Sequence, residues 1–340
     1  MNKLAAGLLV SCVTIGMAAG QTAEAPGTAG NTMKLTKWML TVSDLDRSFA
    51  FYHETFGFEL NNPAQYRKTA PGSEAIIKLT NVPEGTMFRN ISMHVSGLDW
   101  YLELLEFAHP DQHPAKFRLQ DPGATYLRLQ VRDIDRVVAS ALKNGGSISS
   151  AGGRVVKVGR NRVVMLKDPD GGFLEVTQPG VLPGSAAADG IVVGGNFVAV
   201  VKDVDKAVNF YKQLGLDNQI ADSNTSENGM NLFGLPRGRI HRGSIFVPGS
   251  ALQLEFIQFK GVDVRPVRAG LADPGTGSIG FQVRDLAAAT AAFPAHGGSV
   301  ETQGGILWRP NGSGACFVRD MNGFLVELNQ VAPSPASAAR

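Results

Sequence analysis

One pattern occurs twice, 152 residues apart, and it limits what this chain can fold into more than any other feature. Leu119-Gln120-Asp121-Pro122-Gly123 and Gln130-Val131-Arg132-Asp133 return as Leu271-Ala272-Asp273-Pro274-Gly275 and Gln282-Val283-Arg284-Asp285. The same offset relates Glu103 to Glu255, Gly145-Gly146-Ser147 to Gly297-Gly298-Ser299, and Glu175 to Glu327. Self-similarity at a fixed period means that each half is a copy of one structural unit. Asp44 and Asp203 are 159 residues apart, so the copies differ by seven residues early in the unit.

Each half divides again. A segment ending in Val-x-Asp occurs at Val42-Ser43-Asp44, Val131-Arg132-Asp133, Val201-Lys202-Asp203 and Val283-Arg284-Asp285. Two, four and six residues before each Asp the chain is apolar: Val42, Leu40, Trp38; Val131, Leu129, Leu127; Val201, Ala199, Phe197; Val283, Phe281, Ile279. Period two predicts a strand with one buried face. The Asp is placed to cap a following helix, as in Asp44 to Tyr52, where Leu45, Phe49 and Tyr52 lie at helical spacing. Gly57 and Gly215 are placed to stop the helices that open the two halves. Three further strands follow each helix, the last being 101–107, 172–177, 253–259 and 324–329. The expectation is an α+β chain of four βαβββ modules, at about 36–110, 122–179, 191–262 and 276–331.

The 340 residues suffice for two domains, 36–179 and 191–331, joined by a Gly-, Pro- and Ala-rich linker at 180–190. A hydrophobic fraction of 44% against 18% charged residues excludes wholesale disorder. The net charge of +2, without a long basic run, argues against nucleic acid as a partner. Met1-Asn2-Lys3, the apolar stretch from Leu4 to Ala19 and the exit at Ala18-Ala19-Gly20 read as a secretory signal over 1–20. The apolar stretch is shorter than the roughly 20 residues a spanning helix needs, so no permanent membrane span is expected. A bacterial periplasmic destination follows. A competing reading takes Leu9-Val10-Ser11-Cys12 as a lipoprotein box, which leaves only eight residues of hydrophobic region before Cys12. Residues 21–35 read as a flexible leader and 332–340 as a disordered tail. Once the signal is removed, Cys316 is alone, so no internal disulfide is expected.

The run Val42-Ser43-Asp44-Leu45-Asp46-Arg47-Ser48-Phe49-Ala50-Phe51-Tyr52-His53-Glu54-Thr55-Phe56-Gly57-Phe58, and Lys167-Asp168-Pro169-Asp170-Gly171-Gly172-Phe173-Leu174-Glu175-Val176, resemble the vicinal oxygen chelate (VOC) superfamily. That superfamily holds glyoxalase I, methylmalonyl-CoA epimerase, extradiol dioxygenases, fosfomycin-modifying enzymes and bleomycin-binding proteins. The resemblance spans about residues 36–331. It implies two glyoxalase-like domains in a tandem form, with curled mixed sheets around a cleft and helices outside. Fold alone does not set the function.

If the apolar positions before each Asp face the helix, the alternate ones face the cleft. These are Lys37, Met39 and Thr41; Tyr126, Arg128 and Gln130; Asn196, Val198 and Val200; Ser278, Gly280 and Gln282. The same logic turns Glu103, Glu175, Glu255 and Glu327 inward, two to a cleft. Modules can pair within a half or across halves, and the resemblance allows both. In metal-using relatives the position seven before the Asp carries His, Gln or Glu and joins the closing-strand Glu in a four-ligand site. Here those positions hold Lys37, Tyr126, Asn196 and Ser278. Without the two histidines an extradiol dioxygenase needs, that reaction is disfavoured. An all-oxygen set of Asn196, Glu255, Ser278 and Glu327 is the remaining way to hold a hard divalent ion, and weakly; no cofactor is assigned.

Pairing within the first half would make Lys37, Tyr126, Glu103 and Glu175 a metal-free acid/base group, with Arg128, Gln130, His94 and Thr41 as substrate contacts. The plainer account of Lys37 is neutralisation of the glutamates. Two functions follow: an exported protein that binds a small organic molecule in a cleft lacking the metal histidines, or a glyoxalase- or epimerase-like lyase or isomerase.

Overall fold

The computed structural model describes residues 34–66, 68–109, 111–183, 190–213, 217–221, 227–247 and 252–332. The expected signal segment with Cys12, most of the leader and tail, and Gly215 lie outside the described residues. Among the described residues no helix is long and apolar enough to cross a membrane.

Each module opens with a strand and a helix. The opening strands are Lys34–Val42, Thr125–Val131, Val192–Val200 and Gly277–Gln282, followed by helices Leu45–Phe56, Ile134–Lys143, Val204–Gln213 and Leu286–Ala295. Each helix starts as the Val-x-Asp pattern predicts, because the Asp side chain accepts the free amides of the first turn. Asp44 accepts from the amide of Arg47, Asp133 from Asp135 and Arg136, Asp203 from Lys206, and Asp285 from Ala288. Gly57 ends the first helix with φ of 75°, a left-handed conformation that favours glycine. Two longer strands complete each module, preceded by one short strand in the third module and by two in the others, and the closing strand lies parallel to the opening strand.

The modules pair across the halves. The opening strands of the first and fourth modules run antiparallel, with Trp38 opposite Ile279, and unite those modules in one sheet. Those of the second and third pair likewise, with Phe197 opposite Leu127. Pairing within a half, on which the group of Lys37, Tyr126, Glu103 and Glu175 depends, does not occur. Consecutive modules meet through other contacts instead: Tyr52 donates to Asp168 Oδ2 at 2.9 Å, and the rings of Phe210 and Phe293 lie 5.2 Å apart.

Every apolar position of the period-two pattern joins one central core, which draws on the helix-facing sides of both sheets. Trp38 of one sheet meets Phe197 of the other with ring centroids 5.2 Å apart. Each opposite sheet face carries a smaller cluster, one around Met39, Leu105, Phe107 and Phe317, the other around Tyr126, Met165, Phe173 and Val198. These two faces are the clefts.

Candidate functional site

In the first cleft, built by the first and fourth modules, neighbouring strands set Tyr101, Lys37, Gly280 and Glu327 on one rung. Glu103, Met39 and Ser278 stand on the next. Lys37 is 8% exposed and its Nζ lies 2.6 Å from Glu103 Oε2 and 2.5 Å from Glu327 Oε2. Asn90 donates to the other oxygen of Glu103 at 2.7 Å. The lysine has room because residue 280 has no side chain: a Cβ there would come within 2.6 Å of Lys37 Cγ. Burial by itself disfavours the ammonium, but the carboxylates of Glu103 and Glu327 outweigh it and hold Lys37 protonated far above its ordinary range. A cavity of about 90 Å³ opens beside this group, walled by Met39, Phe88, Phe107 and Phe317 and covered by Ile76 and Leu79 of the short helix Glu74–Thr80. That helix is tied to the fourth module, where Thr302 Oγ1 donates to the carbonyl of Leu79 and the amide of Gln303 to that of Lys78.

In the second cleft the cation is Arg128. Its guanidinium meets Glu175 through two bonds of 2.7 and 3.1 Å and also donates to both oxygens of Glu255. Arg242 donates to Glu255 as well. Burial would raise the Glu255 carboxyl, yet Arg128 and Arg242 bring it down to about 2. The fork geometry of Arg suits such two-oxygen pairing in a way that a lysine does not. Tyr126 lies beneath, fully buried, and its hydroxyl has no hydrogen-bond partner among the described residues. Burial pushes its phenol well above the usual range, with Glu175 adding to the effect. Met230, Phe233, Ile257 and Phe259 pack over this face.

The structure therefore separates residues that the sequence reading grouped. Lys37 and Glu103 stand in the first cleft, Tyr126 and Glu175 in the second, so the four do not form one acid/base group. Among the expected substrate contacts, Arg128 is bound to carboxylates. Gln130 is half-buried beside Gly194. His94 is exposed at a strand end, its Nδ1 2.7 Å from Asn61 Oδ1. Thr41 is fully buried and donates to the carbonyl of Leu271 at 2.5 Å, because residues 271–276 cover the end of its strand. The all-oxygen set is also split: Asn196 and Glu255 belong to the second cleft, Ser278 and Glu327 to the first. Glu255 is held by arginines and Glu327 by Lys37. Among the described residues no three or more His, Cys, Asp or Glu side chains cluster as a metal group would.

Two contributors were missed, Asn90 and Arg242, and a signal for them existed. They are 152 residues apart, and each lies two residues before a serine, Ser92 or Ser244, on a strand whose alternate positions face the cleft. The repeat thus matches Asn90 with Arg242, Glu103 with Glu255, Gly280 with Arg128 and Glu327 with Glu175. Lys37 corresponds to Asn196.

Two models of the Glyoxalase/Bleomycin resistance protein/Dioxygenase superfamily match the chain, at residues 34–176 and 197–333. No curated protein sequence matches it. Among solved structures, glyoxalase I from Zea mays is 16% identical with a TM-score of 0.54, the alignment covering 88% of this chain and 92% of that one. A putative dioxygenase from Bacillus subtilis is 14% identical with a TM-score of 0.53, covering 90% of this chain and 87% of that one. At these identities the likeness concerns the fold. The two family matches, the fourfold βαβββ plan and the two sheets with their cleft-facing glutamates lead to one conclusion: the chain is a tandem member of the Glyoxalase/Bleomycin resistance protein/Dioxygenase superfamily.

Proposed function

We propose that this protein binds a small organic molecule in the first cleft, and that an internal cation in each cleft takes the place a metal has in metal-using relatives. The observation that carries this reading is the cavity of about 90 Å³ beside the Lys37, Glu103 and Glu327 group. Small-molecule sites are concave, mostly apolar and set with a few converging polar groups; this cavity has that kind of lining, at a volume below the roughly 300 Å³ where drug-sized sites begin. The donor set does not fit a resident dication: a protonated Lys37 has no lone pair to offer and would repel one, and Arg128 does the same in the second cleft.

Acid/base catalysis by a lyase or isomerase is the weaker reading, because Tyr126 and Glu175 are not beside Lys37. A lysine held far above its ordinary range is also a poor proton donor near neutral pH.

Ligand-observed NMR with a fragment mixture tests the binding reading. Wild-type protein is expected to bind fragments that a cavity-filling Leu79→Trp variant no longer binds. Binding unaffected by that variant would overturn the assignment. We further propose export through the segment 1–20; N-terminal sequencing of protein from the producing cell should begin near Gln21, and a start at Met1 would contradict it.

A further inference from the structure

We propose that the ligand of the first cleft is a small organic monocation, a primary ammonium on a short apolar tail, bound between Glu327, Glu103 and the apolar walls. This rests on the binding reading above and adds the charge class of the ligand.

The argument starts from a charge count. In the second cleft two guanidiniums, Arg128 and Arg242, face two carboxylates, Glu175 and Glu255. In the first cleft one ammonium, Lys37, is shared by two carboxylates, and the residue matching Arg242 is the neutral Asn90. The first cleft therefore holds one carboxylate charge more than its own cation matches, at positions where Glu103 and Glu327 are each 8% exposed. A buried charge without a partner is unfavourable, and a cation entering the cavity supplies that partner.

Hydrogen-bonding capacity points the same way. Glu103 is engaged on both oxygens, by Lys37 and Asn90. Among the described residues Glu327 has a single ion-pair partner, Lys37, so it has acceptor capacity left for an N–H donor. Ser278, 1% exposed, has a hydroxyl with no partner among the described residues. It lies two residues from Gly280, whose missing Cβ points at Lys37, so strand alternation turns Ser278 to the same face. The aromatic ring of Tyr101 stands 6.0 Å from Lys37 Nζ on the same rung, and Phe88, Phe107 and Phe317 form a surface for an apolar tail. The volume suits a small ligand: about 90 Å³ is less than the roughly 150 Å³ of an apolar cavity that takes benzene, so a three-carbon tail is of fitting size. A carboxylate ligand would meet two carboxylates that already share one cation, and a dication beside Lys37 would overshoot the single unmatched charge that a monocation balances.

The test is calorimetric titration of the full chain with n-propylammonium, n-propanol, propionate and magnesium chloride, repeated on Glu327→Gln and Asn90→Arg. The second variant gives the first cleft the charge balance of the second. Propylammonium is expected to bind one site, at least tenfold more tightly than propanol, propionate or magnesium. Each variant, checked as folded by circular dichroism, should weaken it at least tenfold. Equal binding of the three organic probes, tighter binding of magnesium, or unchanged affinity in Glu327→Gln would overturn the proposal. If propanol or propionate binds and Leu79→Trp abolishes it, the charge class falls and the binding reading stands; if no probe of any charge binds, both fall.

Discussion

The two clefts are built from the same repeat and solve the same electrostatic problem with different residues. Each carries two inward glutamates, one on each closing strand, and each meets them with a cation from an opening strand. In the first cleft the cation is Lys37 of the first module, opposite Gly280 of the fourth. In the second it is Arg128 of the second module, opposite Asn196 of the third. Arg128 is the repeat counterpart of Gly280, and Asn196 that of Lys37, so the cation has changed sides between the clefts. Where one opening strand supplies the long side chain, the facing position is small or neutral to admit it. The clefts differ in outcome because Arg242 completes the charge balance in one, while Asn90 leaves the other with an unmatched carboxylate next to open space. The balanced face is packed by Tyr126, Met165, Phe173 and Phe233; the unbalanced one is the face proposed to bind a ligand.

The sharpest way to break this comparison is to remove the cation of the balanced cleft. Arg128→Met leaves Glu175 without its partner and Glu255 with Arg242 alone, and removing one member of a buried pair costs about 3 to 5 kcal/mol. Urea unfolding should show that loss; a change below about 1 kcal/mol would mean that the second cleft does not depend on its ion pairs. A second prediction uses acid. Glu255 is held at about 2, below the ordinary 4.5, so its contribution to stability is complete above pH 4.5 and is lost as pH falls toward 2. A shift of that size corresponds to about 3 kcal/mol. Glu255→Gln should flatten the acid limb of the stability profile, and an unchanged limb would show that other carboxylates govern it. The smallest effect expected is at Gly280. Gly280→Ala presses a methyl against Lys37, and overpacking of this kind costs about 1 to 3 kcal/mol. Combining it with Lys37→Ala should remove the clash penalty, whereas simple addition of the two losses would place the lysine elsewhere.

Much of this architecture could be read from the chain before any coordinates. The apolar residues at two, four and six before each Asp reach the central core because a strand exposes alternate residues to opposite faces. The four aspartates cap helices because the first turn leaves amides without partners. Module pairing was not legible, since all four opening strands carry the same pattern and each can pair antiparallel with any of the others. That single ambiguity placed Tyr126 and Glu175 beside Lys37, and Asn196 and Glu255 beside Ser278. Thr41 failed for a local reason: its position alternates inward, but the chain at 271–276 closes over that end of the strand. Arg128 was placed in a cleft, yet its reach to carboxylates of two modules depends on which modules share a sheet.

The central claim is that Lys37 is the resident cation of the first cleft, and a double-mutant cycle between Lys37→Met and Glu327→Gln tests it most directly. Measured by urea unfolding at pH 7.5, Lys37→Met alone should lose about 3 kcal/mol, because two buried carboxylates are left without a cation. Adding Glu327→Gln removes one of those charges. The account predicts that the double variant recovers more than about 1 kcal/mol relative to the sum of the single losses. Strictly additive losses would show that Lys37 does not neutralise Glu327, and the internal-cation account of the cleft would be contradicted.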